Sequence, residues 1–348
     1  MILQIFGGDG MKRTLTWLVV FVLLFSMAGC GLVDTETTVP TENTKGPEFS
    51  FSSDFPVELE QYCAPWTFDA VSMAMKDGKI HYYFMSGKSM LMDPKESDPY
   101  KWGDSTLIVF PNGQTMLIDV GMEAYAPVLA ENLKRMGIDR IDYLMVSHPH
   151  SDHMGGIIAE NSFLDMIRVD TVLYSGIDRG EKSNLFYQRC NDRNIPIRIL
   201  KRGDSMEFGA VRMQILWPKE GTDGKVITKT AAINNQSILA RFDYKDHASL
   251  FAGDLYAAGE SMVLGECWQE LDVDLLKVPH HGYATSSSSY FIQMTSPELA
   301  VAMSGYKAAV QWAYERRGAT YLYDRYEGYI HVMSDGTSLS YDSEKNNQ

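Results

Sequence analysis

Residues 148–153 read His-Pro-His-Ser-Asp-His, which places three imidazoles and one carboxylate within six residues. They follow a continuous apolar run at residues 141–146, which is typical of a strand buried on both faces of a sheet. The pair Gly155-Gly156 comes shortly after, and we expect a helix over residues 156–166 to begin there. Imidazole and carboxylate groups are ligands of zinc and similar divalent ions. The segment therefore predicts a metal centre at the end of a buried strand.

The spacing within this segment predicts two ions. In an extended chain, His148 and His150 point to the same side and can bind one ion. Asp152 and His153 are adjacent and face a different point, because four ligands so close in sequence cannot all reach one tetrahedral centre. Two neighbouring ions would hold a shared hydroxide as the nucleophile. The alternative is a surface histidine cluster, which the rigid Pro149 and the following glycine pair disfavour.

Two other predicted strand ends carry candidate ligands. Asp254 follows an apolar run, and Gly253 before it permits a close approach of the backbone. Taken alone, a strand-end aspartate such as Asp254 is equally well explained as a helix cap. His280 and His281 follow another apolar run at residues 273–278, and one of the two could be structural.

The other histidines lie in weakly patterned contexts, and we interpret them as structural: His81, His247 and His331. A hairpin is predicted from strands at residues 237–242 and 248–251, which places His247 in its turn. A polar residue in a turn needs no further explanation.

Short apolar runs separated by turn residues indicate the fold class. Runs at residues 105–110 and 115–120 flank Pro111-Asn112-Gly113, which predicts a hairpin because Asn-Gly accepts the positive φ of a tight turn. Strand and helix patterns then alternate as far as a last strand at residues 299–303. This order predicts an α/β fold, a sandwich of two mixed β-sheets with helices outside.

The composition limits the class of protein. The chain has 348 residues, of which 45% are hydrophobic and 22% charged, and this is enough for one large domain or two ordinary ones. Plentiful aromatic residues and only 4 cysteines exclude a disordered chain and a disulfide-stapled mini-domain. The net charge of −14 disfavours non-specific wrapping of nucleic acid. It does not exclude an enzyme that binds phosphate at a metal centre, since bound cations reverse the local field.

The first residues resemble an export signal. An apolar run at residues 15–28 follows Lys12-Arg13 and precedes Gly29-Cys30, as in a bacterial lipoprotein signal whose cysteine is lipidated. We predict a signal peptide over residues 1–30 with its natural start at Met11, and lipidation at Cys30. An uncleaved anchor is the alternative. Either one places the rest of the chain outside the cytoplasmic membrane, as a membrane-anchored protein of the bacterial cell surface.

The remaining chain divides into a linker and one domain. Residues 31–54 are rich in Thr, Glu, Pro and Ser, which predicts a flexible tether. Residues 55–345 are predicted to form the folded domain. Its three cysteines show no paired metal-binding spacing, and we interpret them as structural: Cys63, Cys190 and Cys267.

The motifs together resemble the metallo-β-lactamase fold. More narrowly, the chain resembles the ComEC-type competence subgroup and the related teichoic-acid phosphorylcholine esterases. The matching pieces include Gly103-Asp104-Ser105, Leu117-Ile118-Asp119, residues 147–156, Asn234-Asn235-Gln236-Ser237, residues 251–255 and residues 276–282. The resemblance covers about residues 103–304 and implies an αββα sandwich with one active site at its edge. It also implies two divalent metal ions, usually zinc, with manganese as the alternative.

The resemblance implies a role for each candidate ligand. His148 and His150 would bind the first ion, and Asp254 would bridge both. The second ion would be bound by Asp152, His153 and His281. His280 would contact substrate or protonate the leaving group, and the two adjacent histidines could exchange roles. Lactamase-type members have another histidine before the bridging acid, so the first ion should be one ligand short here.

The leading hypothesis is a surface-anchored, metal-dependent phosphodiesterase acting on nucleic acid or a phosphate-containing envelope polymer. Asp152 and Asp254 would tune the hydroxide, and Asn235, Tyr283 and Ser286 would contact substrate, although serines there could equally cap a helix. Tyr283 stands where the competence group has a small residue, so DNA uptake is not implied. The alternatives are a lactam, lactone or thioester hydrolase and a non-catalytic metal-binding lipoprotein. The expected partners are the substrate and the membrane, and no obligate protein partner is inferred.

Overall fold

The computed structural model describes residues 55–64, 77–85, 103–220, 225–303 and 309–347. All of them lie within one compact unit that spans residues 49–348. In these ranges, no helix has the length and apolarity needed to cross a membrane. The predicted signal peptide, Cys30 and linker lie outside the described residues.

The described residues form fifteen strands and nine α-helices. The strands are β1 (Ile80–Phe84), β2 (Thr106–Val109), β3 (Thr115–Ile118), β4 (Arg140–Val146), β5 (Arg168–Tyr174), β6 (Ile197–Ile199), β7 (Ser205–Phe208), β8 (Val211–Trp217), β9 (Leu239–Tyr244), β10 (His247–Phe251), β11 (Leu275–Lys277), β12 (Leu299–Ala302), β13 (Thr320–Tyr323), β14 (Ile330–Ser334) and β15 (Leu339–Ser343). The helices are α1 (Ala126–Arg135), α2 (Ser151–Ile158), α3 (Phe163–Met166), α4 (Glu181–Asn191), α5 (Thr230–Asn234), α6 (Ala257–Cys267), α7 (Ser289–Thr295), α8 (Gln311–Glu315) and α9 (Asp324–Glu327).

The strands form two mixed sheets. The order in the first is β15-β14-β1-β2-β3-β4-β5-β6, and in the second it is β13-β12-β11-β10-β9-β8-β7. In the first sheet, β3 to β6 run parallel, and in the second, β10 to β13 do. The remaining pairs are antiparallel. The carboxyl ends of parallel strands share one edge of a sheet, and in open α/β sheets this is where ligands bind.

The apolar core has three layers. Side chains from both sheets meet between them, among them Phe84, Phe242 and Phe251. A second cluster packs helix α1 and its neighbours on the first sheet, and a third packs α6 and α7 on the second. This arrangement confirms the predicted α/β sandwich of two mixed sheets with helices outside. Burial on both faces also explains why the strands before the candidate ligands read as continuous apolar runs.

Helix α2 begins earlier than predicted. Its first residue is Ser151, inside the histidine segment, and His150 before it is extended with φ −81° and ψ 157°. The pair Gly155-Gly156 lies within the helix and not at its start. A Cβ on Gly155 would lie 2.9 Å from the backbone nitrogen of Glu123, and one on Gly156 would lie 2.9 Å from the Cβ of Ala126. The glycines therefore allow a close packing of two segments, which a reading of them as a helix start misses.

The second predicted hairpin is present with a shorter turn. Only Lys245 and Asp246 separate β9 from β10, and Lys245 adopts the positive φ (55°) of such a turn. The placement of His247 in the turn is wrong, because His247 is the first residue of β10 and is buried. It lies at the opposite end of β10 from Asp254.

Several short or edge strands escaped the sequence patterns, including β1, β6, β7 and the last three strands. The strand predicted at residues 273–278 is confined to Leu275–Lys277. The three cysteines of the described residues are buried and form no disulfide with one another: Cys63, Cys190 and Cys267.

Candidate metal centre

Three groups of possible ligands lie together where β4, β10 and β11 end; two of them share Asp254, and the third consists of Asp104, Asp119 and His153. The first group consists of His148, His150 and Asp254. The second consists of Asp152, His153, Asp254 and His281. Within each group the ligand atoms lie within 4.8 Å of one another, and Asp254 is common to both.

In the first group, His148 presents Nε2 to its partners. This atom lies 3.0 Å from Nδ1 of His150 and 3.6 Å from Oδ2 of Asp254. Nδ1 of His148 lies 3.0 Å from the hydroxyl of Ser147, so the ring orientation is fixed from behind. The group contains no third imidazole. His247, which is the only histidine between the first motif and Asp254, lies at the other end of β10.

In the second group, Asp254 faces two imidazoles. Its Oδ1 lies 3.3 Å from Nε2 of His153, and its Oδ2 lies 3.4 Å from Nε2 of His281. Oδ2 of Asp152 lies 3.2 Å from Nε2 of His281 and 3.9 Å from Nε2 of His153. Ligands about 2.1 Å from a tetrahedral ion lie roughly 3.4 Å apart, so these separations suit one small divalent ion.

Two atoms of this group lack a hydrogen bond. Nε2 of His153 and Oδ1 of Asp254 are buried and make no hydrogen bond within the described part of the chain. Buried polar atoms in proteins are nearly always paired, and atoms that are not require an explanation. A metal ion between these two atoms provides one, because both are good ligands. The residues present therefore fit a metal.

A second layer of carboxylates orients the ligands. Asp119, just after β3, lies with Oδ2 2.7 Å from Nδ1 of His153 and accepts hydrogen bonds from the backbone and hydroxyl of Ser147 at 2.7 Å each. Nδ1 of His281 lies 3.0 Å from the carbonyl of Met303 and 3.3 Å from Oδ1 of Asp104. A carboxylate or carbonyl on one ring nitrogen fixes the tautomer and turns the other nitrogen toward the metal.

Lys277 carries a positive charge beneath this layer. Its ammonium is buried, forms an ion pair with Asp104 and donates to the carbonyl of Gly253 at 3.4 Å. Burial lowers the pKa of Lys277, but Asp104 and Asp254 outweigh it and hold the pKa above its usual value. Burial would raise the pKa of Asp104, but Lys277, His281 and His153 together outweigh it and lower the pKa. The lysine therefore offsets part of the negative charge that the carboxylates concentrate here.

The imidazoles of the two groups have opposite electrostatic environments. Burial, and next the charge of His153, holds the pKa of His148 well below its usual value, and burial together with Arg179 lowers the pKa of His150 to about 4. Burial also disfavours charge on His153 and His281, yet Asp254 and the other carboxylates around the two rings together raise the pKa of both well above the usual value. The carboxylates of the second group thus favour a positive charge among its imidazoles.

His280 and His281 occupy different places. Both have left-handed backbone, with φ 45° and 55°, which turns the adjacent side chains to different positions. His281 is a member of the second group, whereas Nε2 of His280 lies 4.0 Å from Oδ2 of Asp254 and its Nδ1 is hydrogen-bonded to Thr285. The ring of His280 lies 4.5 Å from that of Tyr256 and 5.2 Å from that of Tyr283. His280 therefore lines the approach to the ligand groups beside two aromatic rings.

The three residues predicted to contact substrate differ in their surroundings. Tyr283 lies half-buried beside His280. Oδ1 of Asn235 accepts a hydrogen bond from the backbone of Gly259 at 3.0 Å, and the hydroxyl of Ser286 donates to the carbonyl of Pro279 at 3.0 Å. The latter two side chains thus stabilise the segments that carry the site.

Sequence reasoning assigned no role to four residues of the supporting layer: Asp104, Asp119, Ser147 and Lys277. All four lie in pieces that match the resemblance, but a single sequence gives no spacing rule for Asp104, Asp119 and Ser147. Lys277 offered a signal, because a charged residue inside an apolar run predicts a buried, paired charge when the run is a buried strand.

Known proteins resemble this chain. The sequence profile described as the metallo-beta-lactamase superfamily matches residues 103–159. The chain is 30% identical over 208 residues to competence protein ComA of Neisseria gonorrhoeae and 27% identical over 180 residues to ComE operon protein 3 of Bacillus subtilis (strain 168). These alignments cover 59% and 51% of this chain but 26% and 22% of the relatives, so the chain spans about a quarter of their length.

Among solved structures, the metallo-beta-lactamase fold protein YhfI from Bacillus subtilis aligns with 70% of this chain and 95% of its own. The sequence identity is 11% and the TM-score is 0.45. The profile match and the competence proteins confirm the resemblance that the motifs indicated. The two mixed sheets flanked by helices have the metallo-β-lactamase fold.

Proposed function

We propose that the chain is a metal-dependent phosphodiesterase that acts on nucleic acid or on a phosphate-containing envelope polymer. One observation carries this proposal: a three-ligand group and a four-ligand group share the single carboxylate of Asp254. The first group would leave a coordination position open for a substrate oxygen. Two divalent ions bound there would lower the pKa of a water molecule and neutralise charge on a phosphoryl group.

The protein's own residues would bind and orient these ions. The first ion would be held by His148, His150 and Asp254, and the second by Asp152, His153, Asp254 and His281. Asp119 and Asp104 would keep the rings of His153 and His281 in place, as their contacts with Nδ1 support. Zinc suits this donor set of imidazoles and carboxylates, and manganese is the alternative.

His280 is the side chain best placed to contact a substrate oxygen. Its Nδ1 is hydrogen-bonded to Thr285, which leaves Nε2 to face the carboxylate of Asp254 and the open side of the site. Tyr256 and Tyr283 flank the ring and would restrict how a substrate enters. The leaving-group role considered for His280 needs the same placement, so both roles stay predictions.

A hydrolase of lactams, lactones or thioesters is the second enzyme candidate. The three-ligand group argues against it, because lactamase-type members have another histidine in this group and the described residues supply none here. A non-catalytic metal-binding lipoprotein is the third candidate. Lipidation at Cys30, attachment to the membrane and the substrate itself all remain predictions.

One panel of assays tests the proposal. The metal-loaded protein is incubated with bis-p-nitrophenyl phosphate, p-nitrophenylphosphorylcholine, plasmid DNA and nitrocefin, and its metal content is measured in the same sample. We expect cleavage of phosphodiesters and close to two ions per chain. Turnover of nitrocefin without phosphodiester cleavage would favour the lactam hydrolase. A metal-loaded protein that is inert with all four substrates would favour the non-catalytic lipoprotein.

A further inference from the structure

Two cationic side chains lie beside the histidine segment and have no role in the centre described above. Arg179 follows β5 and donates from Nη1 to the carbonyl of Pro149 at 2.5 Å. Lys182, in the first turn of α4, donates from Nζ to the hydroxyl of Ser151 at 2.9 Å. These acceptors are the two residues on either side of His150 in the sequence. Both cations are therefore fixed against the segment that holds the first ligand group.

Neither cation has a carboxylate partner among the described residues within 4.0 Å. This is unexpected in a chain with 45 acidic and 31 basic residues, where the exposed Arg140 and the half-buried Arg193 both form ion pairs. Both side chains are half-buried, and each has its pKa lowered, chiefly by burial. Two like charges held together and partly desolvated are unfavourable unless an anion neutralises them.

The pair also lies close to the first ligand group, because its two hydrogen-bond acceptors are the neighbours of His150. The charge of Arg179 acts on His150, and Asp152 acts on both Arg179 and Lys182. A substrate phosphate at the three-ligand group would lie near His150, so the next anionic group of the same molecule can reach the pair. A guanidinium can bind a phosphate through two parallel hydrogen bonds, and an ammonium adds a point charge.

We infer that Arg179 and Lys182 form a subsite for a second phosphate of a phosphodiester chain, adjacent to the phosphate held at the metal centre. The inference rests on the proposed function and extends it from the cleaved bond to the substrate class. A chain of repeated phosphodiesters should bind better than a molecule with one phosphate. Neutral lactams and single phosphodiesters would leave the pair without a partner.

The test compares the binding of ligands that differ by one phosphate. The probes are fluorescently labelled phosphorothioate dimers and trimers of thymidine, which have one and two negatively charged linkages and resist hydrolysis. We expect the metal-loaded wild-type protein to bind the trimer about tenfold more tightly than the dimer, as one charge-assisted contact would give. In Arg179→Gln/Lys182→Gln, this ratio should fall to below about twofold. In the wild type, the slope of log affinity against log salt concentration should be steeper for the trimer than for the dimer by about 0.7 per phosphate contact. This difference in slope should also fall in the double variant.

A matched control removes the same charge elsewhere. Lys134→Gln/Arg168→Gln changes two exposed cations, one in the last turn of α1 and one at the start of β5, the end of that strand away from Arg179, and should preserve the wild-type ratio. An unchanged ratio in Arg179→Gln/Lys182→Gln, or an equal fall in the control, would overturn the subsite. Thermal unfolding confirms that each variant is folded.

Two further measurements distinguish which polymer supplies the phosphate and separate a failure of the subsite from a failure of the proposed function. Dimers and trimers of glycerol phosphate repeat the comparison on a polyol chain. Tighter binding of the trimer with either the thymidine or the glycerol backbone supports the subsite, and equal binding of dimer and trimer with both backbones contradicts it. Hydrolysis of bis-p-nitrophenyl phosphate by the wild type is measured in parallel. Its absence would count against the proposed function, while the binding ratio alone decides the subsite.

Discussion

The molecule has two sets of buried or half-buried histidines, and their partners differ. In the first sheet, His81 on β1 lies with Nδ1 3.0 Å from Nε2 of His331 on β14 and with Nε2 3.1 Å from Oδ1 of Asp77. The ring of His331 stacks on Tyr83 at 4.2 Å with an interplanar angle of 8°. At the carboxyl edge, by contrast, His153 and His281 face carboxylates from both of their ring nitrogens.

The comparison shows that burial alone does not make a histidine a ligand. Burial lowers the pKa of His331 to about 3, and it also disfavours charge on His281. The pKa of His281 is nevertheless raised well above its usual value, because Asp254 and Asp104 face it. Histidines with converging carboxylates form a cation site, whereas histidines that pair with each other and with aromatic rings form part of the core.

The most severe test of this contrast removes the shared ligand. Asp254→Ala should reduce turnover by more than about 100-fold, the upper effect of losing only an outer partner, and should deplete both ions, because both groups contain this carboxylate. His150→Ala should also abolish turnover. Metal analysis and phosphodiester hydrolysis measure these losses, and circular dichroism shows whether the fold survives. Full activity in either variant would contradict the assignment of the centre.

The adjacent histidines provide the next test. His281→Ala should lose the second ion and most activity, because His281 belongs to the four-ligand group. His280→Ala should retain both ions and lose about 10- to 100-fold in kcat/KM, the range of one hydrogen bond to a charged group. Metal stoichiometry and steady-state kinetics on the same samples distinguish the two. Loss of an ion in His280→Ala, with His281→Ala fully loaded, would reverse their roles.

The supporting layer should have a smaller effect. Asp119→Asn and Lys277→Met should each weaken metal binding by about 10- to 100-fold, because outer partners orient the ligands: Asp119 contacts His153, and Lys277 holds Asp104 against His281. Competition with a chelator measures the affinity. Lys277→Arg, which keeps the charge, should recover part of the loss. An affinity unchanged by both of the first two substitutions would show that the layer only stabilises the fold.

The smallest effect is expected at the histidine pair of the first sheet. His331 has a pKa near 3 in the folded chain, below its usual value, so the unfolded chain binds the extra proton first as the pH falls. The contribution of His331 to stability is therefore present above about pH 6.5 and is lost toward pH 3. In His331→Gln, the free energy of unfolding of the metal-free protein should fall less steeply between pH 6.5 and 4. Urea unfolding at several pH values measures this free energy. A lower metal content in the separately metal-loaded variant would contradict the contrast between structural and ligand histidines.

Local signals were sufficient for the elements that carry the ligands. The apolar runs before His148, Asp254 and His280 predicted buried strands because both faces of those strands are covered. The helix at Glu181 and the hairpin at Asn112 followed from ordinary periodicity and turn chemistry. The sequence patterns therefore located three of the strand ends that build the site.

Other features depend on contacts that no local pattern contains. Strand β1 is recognised only by its pairing with β2 and β14. The residues of β14 that pair with β1 are 246 or more positions later in the chain. Gly155 and Gly156 signalled a helix start but serve a close packing inside the helix. Asp104 and Lys277 meet across 173 positions, so their ion pair has no local signature.

The ligands of each group come from both sheets. His148 and His153 follow a strand of the first sheet, whereas Asp254 and His281 follow strands of the second. Bound ions would therefore cross-link the two sheets along the edge where their parallel strands end. Removal of the ions should increase local opening at this edge, with faster amide hydrogen exchange around α2. The turn at Lys245, at the other end of β10, should keep its protection from exchange.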